Sequence, residues 1–228
     1  MRSPPLIPDP MKHSGIEPEL LNILRQQWNR ILSRYEPQPL KSERAWNALL
    51  HQYQQRHRHY HNLTHVADML MAWEAWKDHL NDPETVFWAI WFHDVIYDTR
   101  KKDNELRSAF FAIHHLNELR ISSGMTLKVQ HYILATRTHT SDDADPDLGF
   151  FLDFDLSVLS SKPAMYDAYA RAIRKEYWWV LPMTYKKGRC AVLHRLLGRE
   201  SLYHAEPFRE REAQAQANLL REFQQLVR

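Results

Sequence analysis

The sequence predicts an all-α protein. Apolar residues recur at three- and four-residue steps along most of the chain, the spacing that gives a helix one buried face. No stretch alternates apolar and polar residues with the period of two that a half-buried strand requires. The prolines after residue 40 stand at 83, 146, 163, 182 and 207, where they punctuate the helical pattern rather than interrupt it.

Seven of the 12 prolines fall in the first 39 residues, and 1–18 read as a proline-rich flexible leader. From residue 19 a single helical domain is expected to run to 228. Its first helix, 19–34, is marked by Leu20, Leu21, Leu24, Trp28, Ile31 and Leu32 on one face. Helices are then expected over 42–55 and 61–80. Asp82-Pro83 and Asp145-Pro146 each join a capping residue to a proline suited to the first turn, and they open helices at 84–95 and 147–160. Between them lie 103–121 and 125–139, and beyond them 163–179, 182–198 and 207–226, roughly nine or ten helices in all. Gly124 and Gly149 suit turns.

Composition excludes several classes. Lys+Arg 30 against Asp+Glu 28 gives a formal charge of +2, which argues against a dedicated DNA binder or a polybasic membrane anchor. The 5 glycines form neither GxGxxG nor GxxxxGK[ST], so the phosphate-cradling nucleotide loops are missing. Cys190 is alone, which removes a disulfide framework and a cysteine-built zinc site. The longest apolar run, Val86 to Phe92, is shorter than the ~20 residues that span a bilayer. No export signal is visible, so the cytoplasm is the default expectation.

The 14 histidines direct attention to metal and proton chemistry. In Tyr60–Asp68, His61 and His65 are four apart and would share a helix face. In Trp91–Asp98, His93-Asp94 closes a very apolar helix. In Phe151–Leu159, Asp153 and Asp155 interrupt another apolar run, where a carboxylate needs a cation or several donors. Each has an ordinary reading, as a surface or core histidine pair, a chance dipeptide, or an aspartate satisfied by arginine. Together, imidazole and carboxylate suit Mn, Fe, Zn or Mg, and side chains pointing inward from several helices can build such a site.

The order His65, His93-Asp94, Asp155 resembles the H…HD…D signature of the HD-domain superfamily of metal-dependent phosphohydrolases. The chain is similar to bacterial members with YHNxxH, WFHDxxYD, DNExxS and DxDLSxL, which fall here at Tyr60–His65, Trp91–Asp98, Asp103–Ser108 and Asp153–Leu159. Ile133–Thr136 with His139 adds a further shared element, and the resemblance covers roughly residues 20–220. It implies an HD-type helical bundle with an inward-facing site for one or two divalent ions. The ligands would be His65, His93, Asp94 and Asp155, with Asp94 the bridging residue if two ions bind. The first motif also resembles the YHNxxHxxD element of eukaryotic cyclic-nucleotide phosphodiesterases, as Asp155-Leu156-Ser157 resembles their ADLS segment. That comparison implies His61 as general acid and favours Asp155 over Asp153 as the ligand. The segments that shape a cyclic-nucleotide pocket are missing, so the implied substrate is a small phosphorylated molecule such as a nucleotide.

Other assignments stay open on sequence alone. His61 could instead orient a ligand. His139 is a substrate-binding or metal-adjacent candidate, and His114 or His115 could supply further ligands. An HD-type di-iron oxygenase would need His139 and one of those two, and a non-catalytic nucleotide-binding module would need no acid at all. Asp98 and Glu105 could support the site, although Asp103-Asn104-Glu105 also suits an ordinary helix start. Lys186 and Arg189 could bind substrate phosphate or belong to a solvated charged face.

Overall fold

The computed structural model describes residues 17–141 and 145–228, and among them every regular element is helical. In order they are α1 (Pro18–Leu32), α2 (Pro39–Tyr53), α3 (Leu63–Trp76), α4 (Pro83–Phe92), α5 (Asn104–Glu118), α6 (Ser123–Ala135), α7 (Pro146–Leu156), α8 (Pro163–Glu176), α9 (Pro182–Leu197), the single-turn α10 (Glu206–Arg209) and α11 (Glu212–Val227). Short 3₁₀ turns follow α1, α3 and α7. Most of the proline-rich leader lies outside the described residues, and Pro18 already belongs to α1.

α4 occupies the centre because it is apolar on every side. Thr85 through Phe92 are all buried, and α3, α5, α6 and α7 pack around them. Trp28 of α1 meets Trp88 and Trp91 edge-on, at 5.1 and 5.4 Å between ring centroids, and Trp46 of α2 joins the cluster at 5.8 Å. Such tilted ring pairs add directionality to what burial already favours. Among the described residues, no helix is long and apolar enough to cross a membrane.

Both expected Asp-Pro starts are present. The Asp82 carboxylate accepts from the Thr85 backbone N–H and, at 2.6 Å, from its hydroxyl. Asp145 accepts from the N–H of Asp147. Asp147 is buried and accepts from the backbone of Asn81 (2.9 Å) and Asp82 (2.7 Å), locking the start of α7 to the start of α4. The helices carrying His93 and Asp155 are thereby held side by side.

Several expected boundaries move, each for a local reason. α3 begins at Leu63 because the Asn62 side chain accepts from the Thr64 N–H and caps it, so His61 stands in the preceding turn. α4 stops at Phe92, leaving His93 as its C-cap and Asp94 beyond it. α6 ends at Ala135, four residues before His139. Gly124 and Gly149 lie inside α6 and α7 rather than in turns. At Gly149 the reason is space: a Cβ there would stand 3.0 Å from that of His204.

Candidate metal centre

Four chain segments converge beside the core, each delivered by a specific backbone device. His65 lies on the first turns of α3 and is buried. His93, also buried, uses Nδ1 toward the Ile90 carbonyl at 2.9 Å. A carbonyl only accepts, so in neutral His93 the proton is on Nδ1 and the Nε2 lone pair faces the centre. Asp155 enters from the last turn of α7. His139 enters from beyond α6 with φ 50, a left-handed conformation that non-glycine residues rarely adopt. Its N–H closes onto the Ala135 carbonyl at 2.8 Å, and Arg199 donates to the carbonyls of Thr138 and His139. Those contacts hold the turn in place and bring His139 Nε2 to 2.8 Å from Asp155 Oδ2.

His65, His93 and Asp155 present ligand-type atoms that all lie within 4.8 Å of one another. His65 Nε2 is 3.2 Å from His93 Nε2 and 3.1 Å from Asp155 Oδ1, and His93 Nε2 is 3.8 Å from that oxygen. Asp94 adjoins the group through His93, with Oδ2 3.2 Å from Nε2. Two atoms each ~2.1 Å from a shared cation lie ~3.0 Å apart at a right angle and ~3.4 Å apart in a tetrahedron. The spacing and the donor chemistry therefore fit a divalent ion.

The electrostatics point the same way. Burial opposes charge on His93, but the carboxylates of Asp94 and Asp155 outweigh it and lift its pKa to about 9. Burial also opposes charge on those carboxylates; His93 draws the Asp94 pKa down, and hydrogen bonds with His139 and His65 draw that of Asp155 far down. Two ionised carboxylates thus hold positive charge at this point, and a proton on His93 or a metal ion would each supply it. His65, by contrast, is driven toward its neutral, ligating form by burial.

No family model, curated protein or solved structure matches the chain. The geometry of the centre therefore carries the chemistry by itself.

The turn that carries His61 is built around Glu176, a residue that no motif of the sequence marks. Its buried carboxylate accepts from the backbone N–H groups of His59 (2.8 Å), Tyr60 (2.7 Å) and His61 (3.0 Å) through Oε1. Oε2 meets His61 Nδ1 at 2.7 Å and accepts from the Tyr97 hydroxyl at 2.9 Å. Burial resists the charge on Glu176, yet His61 and these hydrogen bonds hold its pKa down to about 2. Burial likewise opposes a proton on His61, and Glu176 overcomes it and raises the pKa. Tyr97 stacks on the imidazole at 4.2 Å, and His61 Nε2 is 3.9 Å from Asp94 Oδ2.

Arg58 is the second unanticipated residue. Its buried guanidinium donates to the carbonyls of His61 (2.9 Å), Asp94 (2.7 Å) and Val95 (2.8 Å), and so fixes the distance between the two motif loops. Neither Arg58 nor Glu176 has a local sequence signal. Each also reaches partners distant in the chain.

A cavity of about 200 Å³ opens over the centre, and its walls include His61, Asp94, Glu105, His139, Asp155 and Tyr169. The remaining candidates are dispersed. Asn104 exchanges hydrogen bonds with the backbone of Asp98, and Ser108 with that of Ile96, so this motif braces the loop after Asp94. Asp98 accepts from the Arg100 N–H within its own turn. Asp103 occupies the N-cap of α5 without a side-chain capping bond. Asp153 points toward the 200–205 segment and accepts from the N–H groups of His204 and Ala205 at 2.8 and 2.7 Å. Arg189 is buried in a bidentate pair with Glu222, at 2.7 and 2.9 Å. Among the described residues, neither Lys186 nor Arg189 lines the cavity. His114 and His115 gather around Glu118 instead.

Proposed function

We propose that this chain is a metal-dependent phosphohydrolase of the HD type, acting on a small phosphate ester or anhydride such as a nucleotide. The observation that carries the reading is the meeting of His65, His93 and Asp155 within 4.8 Å, with Asp94 3.2 Å from His93, beside a cavity that also contains His61. These residues would hold the ion, which when bound supplies the Lewis acidity that activates water and offsets charge developing on phosphorus. His61 is the general acid. Glu176 holds a proton on it and Tyr97 fixes the plane of its ring, so Nε2 faces the cavity ready to protonate a leaving oxygen. His139, anchored on Asp155, lines the same cavity and would contact the substrate there.

The oxygenase alternative has less support. It requires about six protein ligands, including His114 or His115, and both of those cluster with Glu118. Phosphate release from a panel of nucleotides and sugar phosphates, with Mn²⁺ or Mg²⁺ added to dialysed protein, tests the proposal. Metal-dependent release by the wild type and none by Asp94→Ala is expected. Equal release by both proteins would overturn it.

A further inference from the structure

The last turn of α5 contains a second group of ligand-type side chains that shares no residue with the first. His114, His115 and Glu118 offer two imidazole nitrogens and one carboxylate oxygen, all within 4.8 Å of one another. Glu118 Oε2 is 3.7 Å from His114 Nε2 and 3.9 Å from His115 Nδ1, too far for hydrogen bonds. His115 is only 5% exposed, and neither its Nδ1 nor Glu118 Oε2 has a hydrogen-bond partner. Two buried polar atoms without hydrogen-bond partners, 3.9 Å apart, are costly unless something lies between them. Arg44 of α2 does not supply it, because its guanidinium reaches the other carboxylate oxygen, Oε1, at 3.4 Å. The Phe111 ring packs on His115 at 4.4 Å and offers no polar group.

We propose that His114, His115 and Glu118 form a second metal site, taking a zinc-class divalent cation independently of the centre at His65. Tetrahedral ligands ~2.1 Å from zinc lie ~3.4 Å apart, so contractions of a few tenths of an ångström close the two gaps to Glu118, and movement of the His114 side chain closes the gap between the two imidazole nitrogens, which lie within 4.8 Å of each other. His114 is largely exposed, so its side chain is free to make that adjustment and the ion has a route in from solvent. The site also lies at a helix C-terminus, where the aligned peptide dipoles favour a cation. One open position remains for water, as in a three-ligand zinc site. The ion would tie the end of α5 to itself, next to the Arg44 contact with α2.

Titration of the metal-free, full-length protein with zinc alone tests the assignment. With the first centre silenced by His65→Ala and Asp155→Ala, one zinc per chain is expected. His114→Ala or Glu118→Gln should weaken that zinc by at least about tenfold, no less than the loss of an outer partner causes. In the otherwise unaltered protein, His114→Ala combined with Glu118→Gln should lower bound zinc by one per chain. The first change is at an exposed position and the second is isosteric, so both are compatible with folding. A bridging water would satisfy the same two orphaned atoms and predicts no such zinc. Absence of binding in the silenced protein, or an unchanged stoichiometry after the His114 and Glu118 substitutions, overturns the proposal.

Discussion

Glu176 Oε2 meets His61 Nδ1 at 2.7 Å across 115 positions of sequence, while the other oxygen of the same carboxylate collects three backbone N–H groups of the turn that carries the histidine. One carboxylate thus sets both the position and the protonation of the proposed acid.

Glu176→Gln should therefore lower kcat for phosphate release by about 10- to 100-fold with little change in KM. Loss of the charge lowers the pKa of His61. Since an acid works only while protonated, the alkaline limb of the rate profile should move to lower pH. A kcat loss with an unmoved alkaline limb would mean that Glu176 acts through folding alone.

Arg189 gives a prediction of the opposite kind. Its guanidinium is committed to Glu222, which also accepts from Tyr166 at 2.5 Å. Arg189→Ala strands a buried carboxylate and should cost about 3–5 kcal/mol of stability. The KM for phosphate release by the surviving folded protein should not change. A raised KM with unchanged melting would restore the phosphate-binding reading.

Asp68, half-buried on α3, has its pKa pushed up to about 7 by burial. The folded state then binds a proton more tightly than the unfolded chain, whose carboxyl titrates near 4. Stability should be greatest below pH 4 for this group and fall as pH rises from 4 to 7. Asp68→Asn should flatten that slope and raise Tm at pH 8 by a few degrees, on the order of 1–2 kcal/mol. Thermal melts from pH 4 to 8 check this, and an unchanged slope in the variant contradicts it.

The helices were legible because their cause is local. Periodic apolar residues place α1, and Asp-Pro pairs place α4 and α7. The convergence of His65, His93 and Asp155 was expected from motif resemblance, but nothing in the spacing fixes its distances. Asn62 carries a local signal: as a capping residue it ends the turn before α3 and places His61 off the helix face that the four-residue spacing would have it share with His65. His139 had no such signal, because its left-handed backbone is held by Arg199, 60 positions away. Arg58 and Glu176 were invisible for a related reason. A lone charged residue looks solvated in sequence until the backbone groups that surround it are known.

Whether His65, His93 and Asp155 share an ion is decided by the metal content of the His114→Ala, Glu118→Gln protein after loading with Mn²⁺ and gel filtration, compared with the same protein carrying Asp155→Asn. At least one tightly held ion per chain is expected in the first, and its loss in the second. Equal metal content in the two would contradict the claim that the side chains of α3, α4 and α7 grip a common cation.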